Sequence, residues 1–325
     1  MKKTIKSILC VVLVASFVLA LAGCEKINYV TNGTIQAIKE VQDGSYKETG
    51  TEGEEGTEAG SETVIDAFAS GTYGGVEFAS EEDVVNYYVE CYNNTKAQTA
   101  DYIDGEGNTV TYYKLLGEEK LNIESVLIEG SENSMINGIV PGIVDGLFKP
   151  SVYGLPPCNN RDPQLDNTSE NPTSAGVLDF RTSYFTPEDC QACNVKDNGD
   201  GTITIQIQPK PGQMSMRGED SQGRFFEVLG DIGATVDSIS MLSWASGTTE
   251  ENCLVKYQGG VGTITIDTAS KTITAADYHM AVTVEVNHAN VSVIKDKSAS
   301  VQISYDMKYP ASDEYLMDAR QMTRV

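Results

Sequence analysis

The 325-residue chain carries 23 Lys and Arg against 47 Asp and Glu, a formal charge of −24 at pH 7, and 40% of it is hydrophobic. That apolar share builds a core and excludes disorder along the whole length, while the negative charge repels nucleic acid and anionic lipid headgroups. Two His and one Trp leave little material for acid–base or metal chemistry.

At the front, Lys2, Lys3 and Lys6 precede an apolar run from Ile8 to Leu21 interrupted only by Ser16. A basic start followed by such a run is the layout of a secretory signal, and the run is shorter than the ~20 residues of a spanning helix. It closes on Leu21-Ala22-Gly23-Cys24, which resembles the bacterial lipobox. The resemblance implies a lipoprotein signal peptide over 1–23, cleavage before Cys24, and lipid attachment at Cys24. The protein is then expected on the extracytoplasmic face of the cell membrane, held there by its acyl chains. Stable anchoring takes two signals, which a diacylglyceryl group on one residue supplies.

Residues 24–63 read as an acidic flexible tether. Between Gly44 and Glu62 the glutamates 48, 52, 54, 55, 58 and 62 are interspersed with Gly, Ser and Thr, against the single base Lys47. Such a composition buries too little to offset its ordering entropy, and roughly 40 residues of coil span about 35 Å.

From 64 to 325 the pattern is that of a single α+β domain. Ser80 with Asp83 three residues on reads as a helix start, and Val84, Val85, Tyr88, Cys91 and Tyr92 recur at helical spacing behind it. Asp104 to Asn108 is a turn, followed by extended stretches over 110–116 and 121–128. A second helix is expected over 132–148, where Gly138, Gly142 and Gly146 recur every fourth residue around Pro141. The segment 149–176 holds five prolines and reads as a long loop.

The remainder alternates. Ile203, Ile205 and Ile207, then Ile264 and Ile266, then Tyr278 to Val286, then Val301 to Tyr309 place apolar side chains at every second position. Period-two patterning with polar residues between means antiparallel strands with one face to the core. The turns at 197–201 and 268–271 join neighbours as hairpins. A helical interruption is expected at 221–232, with Phe225, Phe226 and Leu229 as its apolar side. The fold class is therefore α+β, a large curved antiparallel sheet with a few helices packed on one face. Its apolar face should carry Tyr278, Met280, Val282 and Val284 from one strand and Val301, Ile303 and Tyr305 from another.

No catalytic, cofactor or metal site is expected. Cys190-Gln191-Ala192-Cys193 is a C-x-x-C pair, but Glu188 and Asp189 precede it and disfavour the thiolate. No second close pair completes a zinc set with Cys158 or Cys253. Cys91 falls on the apolar helix face and reads as core. His279 projects from the polar side of a strand and His288 sits by a turn, neither near a recognisable nucleophile motif.

The Val84-Val85-Asn86-Tyr87-Tyr88 helix, Thr186-Pro187-Glu188-Asp189, the Asp200-Gly201-Thr202 hairpin and the final meander resemble a group of uncharacterised lipoproteins of Gram-positive gut bacteria. More remotely, a curved sheet with helices in its hollow resembles the half-barrel lipoproteins of the LolA and LppX type. That resemblance implies an apolar hollow for a hydrophobic or lipid ligand. The alternative expectation is a non-catalytic cell-surface interaction module whose hollow its own side chains fill.

Overall fold

In the computed structural model, the described residues are 63–132, 151–158, 160–166, 172–173, 176–230, 232–237, 242–291 and 294–325. The signal segment, Cys24, nearly all of the tether and the glycine-spaced stretch after Glu132 lie outside them.

The described chain opens with a small hairpin, β1 (Gly71–Tyr73) and β2 (Val76–Phe78), and enters the helix α1 (Glu81–Lys96). Local chemistry dictates that start. The Ser80 hydroxyl accepts from the Asp83 amide at 3.3 Å, and the Asp83 carboxylate accepts from the Ser80 amide at 2.9 Å. Glu81, Glu82 and Asp83 in the first turn and Lys96 in the last both oppose the helix dipole. Val84, Val85, Tyr88, Cys91 and Tyr92 are all buried, so the 3.6 periodicity marks the face that packs.

Strands follow: β3 (Thr99–Ile103), β4 (Thr109–Tyr113), β5 (Gly117–Ile128), β6 (Ser131–Glu132), β7 (Val152–Tyr153), β8 (Pro172–Thr173) and β9 (Gly176–Val177). A 3-10 turn at Pro187–Asp189 leads into β10 (Cys190–Asp197), β11 (Thr202–Pro209) and β12 (Gly212–Gln213). Two short helices, α2 (Ile232–Asp237) and α3 (Thr249–Asn252), lie either side of β13 (Leu242–Trp244). The last part is β14 (Cys253–Tyr257), β15 (Val261–Asp267), β16 (Thr272–Val291), β17 (Ile294–Tyr309), the helix α4 (Asp313–Arg320) and β18 (Thr323–Arg324).

Eleven strands form one antiparallel sheet: seven run in the order β10-β11-β15-β16-β17-β5-β6, β14 and β13 pair with the second half of β16, β12 pairs with β14, and β7 pairs with the start of β5. Strand therefore predominates over helix, as the alternation requires. Register puts Met280, Tyr305 and Leu121 in one row and Val284, Val301 and Val126 in another. Leu121 and Val126 are five residues apart and would face opposite ways on a regular strand. A bulge at Glu124, where the partner of Gln302 is Ser125 and that of Ile303 is Ile123, returns both to the inner face.

That inner face is the core. Tyr278, Met280, Val282, Val284, Val301 and Ile303 are each no more than 3% exposed, and Tyr305 is buried beside them. Over them lie α1 and the rings of Phe185, Phe225 and Phe226. Phe225 sits at the centre, its ring 5.7 Å from Tyr88, 4.9 Å from Phe185 and Phe226, and 5.4 Å from Tyr278. Gly262 makes room for it, since a Cβ there would lie 2.6 Å from the ring. A second, smaller core joins Tyr102, Tyr113, Leu116, Val152, Cys158, Leu316 and Met322, where the β18-β3-β4 sheet meets α4.

One expectation is corrected. Residues 221–232 are not a helix: a run of turns covers 221–225 and helical structure begins only at Ile232. Isolated bonds from the amides of Arg224 to Asp220 and Phe226 to Gln222, both 2.8 Å, close single turns that do not propagate. Gly223 explains this in part, because its backbone packs so closely on Met216 that a Cβ would lie 1.9 Å from that carbonyl oxygen.

Candidate functional site

The outer face of the same strands is polar, and register assembles on it a group of residues scattered through the sequence. His279 on β16 lies opposite Asp306 on β17, which lies opposite Lys120 on β5. In the adjoining row Ser304 lies opposite Asn122. Hydrogen bonds connect them: His279 Nδ1 lies 2.6 Å from Asp306 Oδ1, and Asn122 Nδ2 donates to Asp306 Oδ2 at 2.8 Å and to Ser304 Oγ at 3.1 Å. Ser304 Oγ donates to Glu124 Oε1 at 2.6 Å. The bulge that keeps the inner face apolar thus also delivers an extra carboxylate to the outer one.

The helix α4 closes the other side. Its N-cap Ser312 accepts from the Tyr315 amide at 3.2 Å and donates its own amide and hydroxyl to Glu118 at 3.3 and 3.2 Å. The Tyr315 hydroxyl accepts from the Glu119 amide and donates to the Ser151 carbonyl, both at 3.0 Å. Arg324 pairs with Asp313 and donates to the Ala311 carbonyl at 2.7 Å, while β18 pairs with β3. These ties hold α4 beside the sheet and leave a cleft of about 670 Å³, on the scale of small-molecule sites. Asp277, His279, Asp306 and Lys308 line its strand wall, and Glu314, Tyr315 and Asp318 its helix wall.

Electrostatically the cleft is dominated by carboxylates. The hydrogen bond to Asp306 raises the His279 pKa above its ordinary 6.5, burial opposes that, and the charges of Asp306 and Glu124 add to it. The imidazole is about half exposed and is held in one orientation by Asp306. Ser304 gives its proton to Glu124 and so is not paired with His279 as a nucleophile. What the arrangement offers is an oriented set of acceptors with a few cations, suited to binding hydroxyl or amino groups.

The other residues singled out from the sequence lie apart from this cleft. His288 bonds Asp296 at 2.8 Å at the far end of the β16–β17 hairpin. Cys91, Cys158, Cys190, Cys193 and Cys253 are free thiols, and Cys91 is buried on the packed face of α1. A bulge at Gln191 places Cys190 and Cys193 on one side of β10, where they hydrogen-bond to each other, and this contact raises the Cys193 pKa. Among the described residues no group of three or more His, Cys, Asp or Glu is arranged to hold a metal, and no helix is long and apolar enough to cross a membrane. Cys24 lies outside the described residues.

Alternation marks His279, Asp306 and Asn122 as polar-face residues, but nothing local in the sequence brings them together. A start signal for α4 is present at Ser312-Asp313-Glu314 and is one the sequence reading overlooks. No protein-family model matches the chain, and no characterised protein or solved structure shows significant similarity to it.

Proposed function

We propose that the protein is a lipid-anchored extracytoplasmic surface module, tethered through Cys24, that acts by binding and not by catalysis. The observation that carries this reading over that of a lipid carrier is the filling of the inner face. The side chains that would line a hydrophobic hollow are instead packed against α1, Phe225 and Phe226. Side chains buried against one another in this way make a core, because protein interiors are close-packed with few voids.

The half-barrel form of the sheet belongs to the same proposal. Its support is the way β16 changes partner, from β15 along residues 272–279 to β14 along 282–286, with bulges further along its pairing to β17. On this reading the ligand-facing surface is the cleft beneath α4, and its carboxylates favour a neutral or cationic partner group. An acidic domain has no attraction of its own to an anionic leaflet, so retention at the membrane falls to the lipid on Cys24.

Native mass spectrometry and lipid extraction of the Cys24→Ala protein after exposure to membranes test the choice. Protein free of lipid is the expected result; a stoichiometric bound lipid would restore the carrier reading. In cell fractionation the wild-type chain should sediment with membranes, and Cys24→Ala should accumulate as uncleaved or released protein. Wild-type protein found wholly in the cytosol would rule the anchor out.

A further inference from the structure

Between the two cores lies a polar cluster sealed from solvent. The side chain of Lys96, the last residue of α1, is 1% exposed, and that of Asp166 is 0% exposed. Their charged ends approach loosely, Nζ to Oδ2 at 3.5 Å. Nζ also donates to the Phe180 carbonyl at 2.7 Å and stands 4.7 Å from the Tyr113 ring centre and 5.6 Å from that of Tyr92. Asp166 Oδ2 accepts from the Tyr113 hydroxyl at 2.7 Å and from Cys158 Sγ at 3.1 Å.

The pair sits in a dry, aromatic-walled site, where taking two charges out of water is costly. Within it the Lys96 side-chain nitrogen faces the Asp166 carboxyl group. Those are the partners of an amide-forming condensation, held together in a site that excludes the water needed for the reverse reaction.

We propose that Lys96 and Asp166 are the site of an intramolecular amide cross-link formed by the folded chain itself. Nζ transfers one proton to Oδ2, and its freed lone pair attacks Cγ. The new Cγ–Nζ bond forms as the Cγ–Oδ2 bond breaks, and Oδ2 departs as water with two of the three ammonium protons. The third remains as an amide N–H, for which the Phe180 carbonyl is the standing acceptor. No oxidant or cofactor enters, and the charges of the pair cancel. Tyr113 and Cys158 both donate to the departing oxygen. Burial raises the pKa of each, which keeps both protonated for that task. The product ties the end of α1 to the loop before Asn167, closing a covalent ring across a sequence separation of 70.

Tryptic mapping of the full chain under denaturing conditions tests this. The expected result is a missed cut after Lys96 and a joined species, lighter by one water than the sum of the Lys96 and Asp166 peptides. Lys96→Arg should abolish the joined species and restore the cut. Quantitative recovery of both linear peptides from the wild type would overturn the proposal, as would a joined species that survives Lys96→Arg.

Discussion

The two faces of the β16–β17–β5 ribbon are made by the same residues taken alternately, yet they have opposite characters. The inner face is apolar or aromatic except for the buried Glu119, which accepts from the Tyr305 hydroxyl, and α1 and the phenylalanine cluster pack over it. On the outer face His279, Asp306 and Lys120 form a polar row that lines the cleft beside α4, with Asn122 and Ser304 in the row behind it. Burial makes the first face sensitive to volume, whereas the second depends on geometry and charge. The chain left space in the cleft beside α4, which is lined by Asp277, His279, Asp306 and Lys308 of the polar face and is bordered as well by Leu121, Tyr278 and Met307.

The hardest test of that contrast is Phe225→Ala. With contacts to Tyr88, Phe185, Phe226 and Tyr278 lost together, unfolding in urea should show a destabilisation of about 3–5 kcal/mol. A loss below about 1 kcal/mol would mean an inner face loose enough to admit a ligand.

Ser80→Ala removes the hydroxyl that caps α1 and should cost about 1 kcal/mol. Because hydrogen bonds from Ser80 and Ala79 lower the Asp83 pKa below 3.8, the contribution of Asp83 is present above that value and is lost as pH falls through its folded pKa. Urea midpoints measured in steps of pH on wild type and Asp83→Asn should converge in acid.

Asp306→Asn acts on the outer face and should leave the melt nearly unchanged, since a half-exposed pair contributes less than about 1 kcal/mol. Its effect should fall on His279, whose pKa, followed by NMR, should return from its raised value toward 6.5. The sign follows: the stabilisation by the pair is full below 6.5 and disappears as pH rises through the folded pKa. An unchanged His279 titration in the variant would separate the imidazole from Asp306.

Deleting residues 25–63 should have the smallest effect, with no shift in the melting midpoint. The first described contacts of this end are the Val64 amide to Gln208 Oε1 at 3.0 Å and Asn194 Nδ2 to the Asp66 carbonyl at 3.0 Å. A drop of many degrees would place part of the tether on the domain.

Elements whose signals are local are legible in the amino-acid sequence itself. The capping pair Ser80 and Asp83, the face running from Val84 to Tyr92, and the alternating strands from Ile203 onward depend only on neighbours in the chain. The stretch 221–232 shows the limit of such reading. Its apolar spacing is helical, but Gly223 packs against Met216, and close tertiary approach overrides the local pattern.

The cleft is not legible in the same way. His279 and Asp306 are 27 residues apart and meet because β16 and β17 pair in one register; Asn122 and Glu124 join them from a strand more than 150 residues earlier. Sequence by itself determined which side chains prefer water and which prefer each other, because that preference belongs to each residue and repeats with the period of its element. Only the tertiary structure decided that the apolar face would be filled and that the polar residues would converge beneath α4. Register, bulges and the seating of distant rings are set by contacts between residues far apart in the chain, and no local window contains them.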